Sequence, residues 1–279
     1  MFVSAASAVK PTHRSTFSRG THTARIVHPR GWVPRTWHDG PVTDSVARAA
    51  DLIADADGAL VRTVDGLDEE AYAEPSLLPD WTRAHVVAHL ALNAEALAGV
   101  LHGAHVGTPQ PMYASAQQRD SDIEHLAAQP EQVLRDRLLA STTEFDQAMR
   151  AMHDSDWDGR FERAPGGPDL AVATIPLMRV REVEIHHADL GAGYTAADWG
   201  EDFVVLLLES MTKRPYPTPF TVLATDLDRS WHYGERGPGA PDELLVVGGG
   251  AALAWWLTGR GSGEGVSCEA DVLPRVESW

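Results

Sequence analysis

The chain has 279 residues, 43% of them hydrophobic and 23% charged, and its formal net charge at pH 7 is -17. This composition suits one large or two ordinary globular domains rather than a disordered protein, and so acidic a chain is a poor partner for nucleic acid phosphates. The single cysteine, Cys268, excludes an internal disulfide and a cysteine-based zinc cluster, so we expect a cytoplasmic protein. The sequence contains no uninterrupted apolar run of about 18 residues, and we therefore predict no membrane span.

Residues 1–40 differ in composition from the rest of the chain. They hold six Lys or Arg and one acidic residue, and their Ser, Thr, Gly and Pro residues show no periodicity. We predict a disordered extension, because such a segment cannot bury enough apolar surface to offset the entropy lost on ordering. A targeting peptide has a similar composition, but three prolines interrupt the amphipathic helix that it needs, so an over-extended translation start explains the segment better.

Residues 41–197 show the hydrophobic periodicity of a helical bundle. Apolar residues recur at helical spacing in four long segments, and glycines or prolines stand near the segment ends. Four long amphipathic helices in a row favour a four-helix bundle, in which functional side chains face inward from different helices. The long helices are predicted at residues 42–64, 82–103, 130–152 and 172–190, and a short polar helix at 115–126.

Residues 198–279 have a different pattern, which predicts a small α+β domain. One helix is expected at 201–213 and another at 251–258, each followed by a turn. The segments 220–227 and 244–247 are rich in Val, Leu, Thr and Phe, which is typical of strands, and 229–235 is a third candidate strand.

The segment R-E-V-E-I-H-H, residues 181–187, contains a candidate metal site on the last bundle helix. Glu182 and His186 are four residues apart and therefore point to the same side of the helix. His89 on the second long helix is the best third ligand, and a His-Glu-His set suits zinc with one coordination position left open. The same spacing also fits a buried ion pair without metal, in which Glu182 accepts a hydrogen bond from His186 or Arg179.

Helical-wheel positions separate the neighbouring histidines and glutamates. His89 borders the apolar stripe of its helix, whereas His85 lies farther from it and is expected to meet solvent or cap a neighbour. On the last bundle helix, Glu184 and His187 fall opposite Glu182, so we expect them to be surface or interface residues.

Several motifs together resemble mycothiol-dependent maleylpyruvate isomerases, a family that joins a DinB-like four-helix bundle to a small C-terminal α+β domain. The resemblance covers about residues 42–279 and departs at Glu184, where relatives often have an apolar or aromatic residue. The motifs are L-P-D-W-T-R-A-H-V-V-A-H-L-A-L-N at 78–93, P-M-Y-A-S at 111–115, M-R-V-R-E-V-E-I-H-H-A-D-L-G at 178–191 and T-G-R-G-S at 258–262.

This resemblance assigns roles to particular residues. It implies that His89, Glu182 and His186 hold zinc, and that Arg260 in the C-terminal domain is catalytic. Arg260 would bind a substrate carboxylate or stabilise an enolate, although its position alone also fits an exposed residue at a helix C-terminus. Asp189, one turn beyond His186, is a candidate partner for the imidazole, or else simply ends the helix.

The resemblance also implies an activity, two cofactors and the partners of the chain. Zinc and mycothiol would serve the cis-trans isomerisation of maleylpyruvate to fumarylpyruvate in gentisate catabolism, by reversible addition of the thiolate to the double bond. Small molecules are then the expected partners, and we expect a monomer or weak homo-oligomer that binds neither membrane nor nucleic acid. A mycothiol S-transferase and a non-catalytic metal-binding regulator remain alternatives.

Overall fold

Eight α-helices and six short strands make up the part of the chain that the computed structural model describes, residues 42–235, 244–270 and 272–278. The predicted disordered extension at 1–40 lies outside these residues. The helices are α1 (Val42–Asp65), α2 (Glu69–Tyr72), α3 (Arg83–His105), α4 (Ala116–Ala127), α5 (Glu131–Ala151), α6 (Ile175–Asp189), α7 (Glu201–Met211) and α8 (Gly250–Leu257). The strands are β1 (Arg160–Glu162), β2 (Asp169–Ala171), β3 (Phe220–Ala224), β4 (Arg229–Tyr233), β5 (Leu244–Gly248) and β6 (Val266–Cys268).

The four long helices α1, α3, α5 and α6 form the predicted bundle. Helix α3 packs against α5 and α6, and α1 packs against the same two helices from the other side. The short polar helix α4 lies against α3. Helix α3 begins after Thr82, and the side chain of His85 accepts a hydrogen bond from the Thr82 backbone N–H over 3.2 Å. The expectation that His85 meets solvent or acts as a cap is therefore confirmed.

Helix α3 is the central helix of the bundle, and its apolar side chains are buried on most of its circumference. Its length and composition would also allow it to cross a membrane, although polar residues interrupt its apolar run. However, 72% of that apolar window is buried inside the protein, as in the core helix of a folded domain.

A fully buried arginine on α6 ties three bundle helices together. Arg179 Nη2 donates to Asp57 Oδ1 on α1 over 2.8 Å, and its Nη1 donates to the Leu90 carbonyl and to Asn93 Oδ1 on α3 over 2.9 and 3.1 Å. A buried charge is tolerated only when it is paired and hydrogen-bonded, so this network restricts how α6 can sit between α1 and α3. Arg179 therefore pairs with Asp57 and is not the donor to Glu182 that the metal-free alternative allowed.

The C-terminal part contains a four-stranded sheet in the order β4-β3-β5-β6, which α7 and α8 contact. Strand β3 pairs antiparallel with β4 and parallel with β5, and β5 pairs antiparallel with β6. The third candidate strand is confirmed as β4. Strand β6 was not predicted, nor was the small antiparallel hairpin of β1 and β2 between α5 and α6.

One hydrophobic core runs from the bundle into the C-terminal part. It joins Leu97 and Ile185 in the bundle to Phe203 on α7, Phe220 on β3 and Leu253 on α8. The fold class is as predicted, a helical bundle followed by a small α+β part. The domain boundary near residue 198 stays a prediction. The hydrophobic core is continuous across that position and does not mark a boundary there.

Candidate metal centre

The structure brings His89, Glu182 and His186 together inside the bundle. One potential ligand atom from each of the three residues lies within 4.8 Å of the other two. His89 Nε2 is 2.9 Å from Glu182 Oε2, and His186 Nε2 is 3.4 Å from the same oxygen. Tetrahedral zinc with bonds of about 2.0–2.1 Å separates its ligand atoms by roughly 3.3 Å, which is close to the two distances from Glu182 Oε2.

The carboxylate of Glu182 is the negative charge of this cluster. Burial disfavours its ionisation, but hydrogen bonds from His186 and His89 outweigh that effect and hold its pKa well below the usual range. Burial lowers the pKa of His89 to about 4, despite the neighbouring Glu182, so this imidazole is neutral at pH 7. A neutral imidazole and an ionised carboxylate are the forms in which these side chains bind metal.

His186 is oriented by a second carboxylate on the same helix. Its Nδ1 donates to Asp189 Oδ2 over 2.8 Å, which leaves Nε2 directed at Glu182. Metal-bound histidines commonly donate their other N–H to a carboxylate in this way. Asp189 is the last residue of α6 and fully buried, and its bond to His186 confirms the first of its two alternatives, that it is a partner for the imidazole rather than only the helix end.

Arg260 reaches this site from the C-terminal part of the chain. Its Nε and Nη2 donate to the two oxygens of Asp189, each over 2.7 Å, and its Nη1 donates to the Thr258 carbonyl over 3.2 Å. Although burial opposes ionisation of Asp189, hydrogen bonds from His186 and Arg260 lower its pKa. Arg260 is buried rather than exposed at a helix end, and it contacts the metal centre through Asp189 and His186. Its assignment as a catalytic residue stays a prediction.

Two further side chains lie against His89, and a third lies against one of them. The Trp81 ring lies 5.6 Å from the imidazole, centroid to centroid, and Arg119 Nη2 lies 3.4 Å from His89 Nδ1. The Arg119 guanidinium carbon is 5.9 Å from the centre of the Tyr113 ring. Arg119 was not predicted to be a site residue, because a lone arginine near the start of a polar helix has no distinguishing pattern. Tyr113 lies within the quoted P-M-Y-A-S motif, but no role was assigned to it.

Of the two alternatives expected for Glu184 and His187, a surface or an interface position, the surface position is wrong. Glu184 is 7% exposed and His187 is 1% exposed. The Tyr194 hydroxyl donates to Glu184 Oε2 over 2.5 Å, and the Tyr194 ring stacks on His187 at 3.6 Å. The segment after α6 folds back over this face, so the helix is covered on both sides, which a single-helix wheel cannot predict.

A cleft of about 630 Å³ lies between the end of α6 and the start of α8. Its walls include Ala188, Tyr194 and Trp255, but none of the three candidate ligands. The Trp255 ring also lies 5.8 Å from the guanidinium carbon of Arg260. Through Trp255, the wall of the cleft thus lies next to Arg260.

Comparison with known proteins places this geometry in a family. The family model described as the mycothiol maleylpyruvate isomerase N-terminal domain matches residues 53–191, a range that contains all three candidate ligands. The chain belongs to the mycothiol-dependent maleylpyruvate isomerase family. No curated protein matches its sequence.

Two solved structures of a mycothiol-dependent maleylpyruvate isomerase resemble the chain over nearly their whole length. One is 27% identical with a TM-score of 0.77, and covers 88% of this chain and 99% of its own. The other is a histidine-to-alanine mutant, also 27% identical, with a TM-score of 0.76 and the same coverage. The likeness to the family therefore extends beyond the matched bundle into the C-terminal part.

Proposed function

We propose that this chain is a zinc- and mycothiol-dependent isomerase that converts maleylpyruvate to fumarylpyruvate, as a cytoplasmic enzyme of gentisate catabolism. The observation that carries the proposal is the convergence of His89, Glu182 and His186 in a member of this isomerase family. Three buried nitrogen and oxygen donors leave a fourth position of a tetrahedral metal available to a thiol. Zinc held by these three residues would keep a thiol bound at its fourth position deprotonated at neutral pH.

The reaction needs a nucleophile that the chain does not itself provide at this site. Adding a thiol across the double bond of maleylpyruvate turns it into a single bond, rotation follows, and loss of the thiol restores the double bond in the trans form. The atoms balance, since the thiol is released unchanged. Cys268 lies on the edge strand β6 rather than among the triad residues, which supports a borrowed thiol.

The residues of the chain contribute orientation and a desolvated environment. Asp189 holds the His186 imidazole so that Nε2 faces the metal position. Trp81 contacts His89 and limits the access of water to it, and both histidines are less than 10% exposed. Electrostatic interactions are stronger in such a water-poor site than in bulk solvent.

The test combines metal content with turnover in the presence and absence of mycothiol. We expect about one zinc per chain and loss of maleylpyruvate only when mycothiol is present. Turnover in thiol-free buffer would contradict the mycothiol requirement. A product that retains the thiol would indicate an S-transferase, and zinc binding without any turnover would indicate a non-catalytic metal-binding protein.

Two histidines on α3 provide a matched pair of variants for the metal. His89→Ala should lose zinc and turnover together, because it removes one of three ligands. His85→Ala removes a histidine four residues away that caps the helix instead, and should keep its zinc. Full zinc occupancy in His89→Ala would exclude that residue as a ligand.

A further inference from the structure

The guanidinium of Arg119 lies beside the metal centre with much of its hydrogen-bonding capacity unused. Its Nη1 pairs with Asp120 over 2.8 Å, but that carboxylate is 67% exposed, so the pair contributes little. Its Nη2 has a long contact of 3.4 Å with His89 Nδ1. Its Nε is buried and has no hydrogen-bond partner within the described ranges of the chain. A buried N–H without a partner is costly and requires an explanation.

The edge formed by Nε and Nη2 is the edge with which an arginine binds a carboxylate through two parallel hydrogen bonds. Arg260 shows this geometry in the same protein, since its Nε and Nη2 each donate to one oxygen of Asp189 over 2.7 Å. Arg119 presents the same two donors, and no carboxylate from the described part of the chain is bound to them. The Tyr113 ring under the guanidinium restricts the plane in which a ligand can approach.

Metal binding by His89 would change the hydrogen-bond partner of Arg119 Nη2. Arg119 approaches His89 from the side opposite to Glu182, because it contacts Nδ1 whereas Glu182 contacts Nε2. A histidine that binds metal through Nε2 carries its proton on Nδ1, and Nδ1 could then no longer accept a hydrogen bond from Arg119. Metal loading would therefore release Nη2 as well, and complete the pair of donors.

We propose that Arg119, supported by Tyr113, forms a binding site for a carboxylate group of the substrate beside the metal centre. The identity of the ligand as a short dicarboxylic enedione rests on the proposed function, whereas the carboxylate site itself does not. Arg260, the residue to which the resemblance gave this role, would first have to break its bonds to Asp189. Arg119 thus selects for an acidic substrate, and Arg260 holds Asp189 in position.

Binding of an unreactive dicarboxylate tests this proposal apart from catalysis. Glutarate has no double bond to which a thiol can add, so its affinity for zinc-loaded and metal-free protein can be measured by NMR titration without mycothiol. We expect Arg119→Gln to bind glutarate at least 10-fold more weakly than the wild type, with Arg119→Lys in between, because a lysine keeps the charge but not the paired donors. Arg150→Gln, which changes an exposed arginine on α5, should bind like the wild type.

The same variants give a second measurement in the turnover assay. Arg119→Gln should keep its zinc and raise KM for maleylpyruvate by a larger factor than it lowers kcat. Glutarate binding that is equal within twofold in wild type and Arg119→Gln, or absent from the wild type, would overturn the proposal. If glutarate binds through Arg119 but maleylpyruvate is not converted, the proposed function fails and the carboxylate site stands.

Discussion

Asp189→Asn tests whether one buried carboxylate links the C-terminal part of the chain to the metal centre. Asp189 is fully buried and accepts two hydrogen bonds from Arg260 over 2.7 Å and one from His186 over 2.8 Å. Asparagine has the same shape but no charge, and its amide N–H₂ would face one of these donors. The guanidinium of Arg260 would then be a buried cation without its counter-ion.

The expected effect on stability is large for an isosteric change. Removing one partner of a buried ion pair costs about 3–5 kcal/mol, and asparagine keeps one acceptor, so we expect a loss of about 3 kcal/mol in the free energy of unfolding. Loss of a carboxylate behind a metal-binding histidine lowers metal affinity by about 10–100-fold. Zinc affinity should therefore fall together with stability.

Urea denaturation of the metal-free protein and zinc competition with a chromophoric chelator would measure the two effects separately. Asp146→Asn is a suitable control, because Asp146 pairs with Arg150 over the same 2.8 Å but both side chains are more than half exposed. That pair is worth about 0.5 kcal/mol. A change below 1 kcal/mol in Asp189→Asn would refute the assigned ion pair. Unchanged zinc affinity would refute the role of Asp189 in orienting His186.

Two further predictions concern buried charges outside the metal ligands. Burial raises the pKa of Glu184 from 4.5 to about 7, with an opposing effect from the Tyr194 hydrogen bond, so the folded protein holds a proton that the unfolded chain releases above pH 4.5. The free energy of unfolding of the wild type should therefore fall between pH 4.5 and 7 by up to about 3 kcal/mol relative to Glu184→Gln. Urea denaturation of the metal-free proteins measures this change. A stability difference between the two proteins that stays constant with pH would contradict the raised pKa of Glu184. Arg179→Met should destabilise the bundle by about 3–5 kcal/mol, because it leaves Asp57 unpaired. The double variant with Asp57→Leu should recover part of this loss. An effect of Arg179→Met below 1 kcal/mol would contradict the role of this network.

Local sequence patterns predicted the helices well, because amphipathic periodicity over 15 or more residues is a strong signal. The long helices α1, α3, α5 and α6 begin and end within a few residues of the expected positions. The three-residue strands β1, β2 and β6 were missed, since so few residues show no recognisable alternation. Strand pairing in this sheet also joins distant segments, and their register depends on contacts that no local pattern contains.

The helical wheel places Glu182 correctly and Glu184 wrongly for the same physical reason. A wheel describes one helix beside one neighbouring core, and Glu182 does face the neighbour that carries His89. Helix α6, however, has a second neighbour, because Tyr194 and Trp199 of the following segment bond to Glu184. Burial of the second face depends on where the chain goes after the helix ends.

The sequence by itself determined the helical bundle, the pairing of Glu182 with His186 on one helix face, and the resemblance to the isomerase family. These features depend on spacing within one segment or on motifs that can be read along the chain. Only the tertiary structure decided that Arg260 binds Asp189 and that Arg119 lies at His89, because those contacts join residues 71 and 30 positions apart. Packing of separate elements creates such neighbours, and side-chain chemistry alone does not specify them.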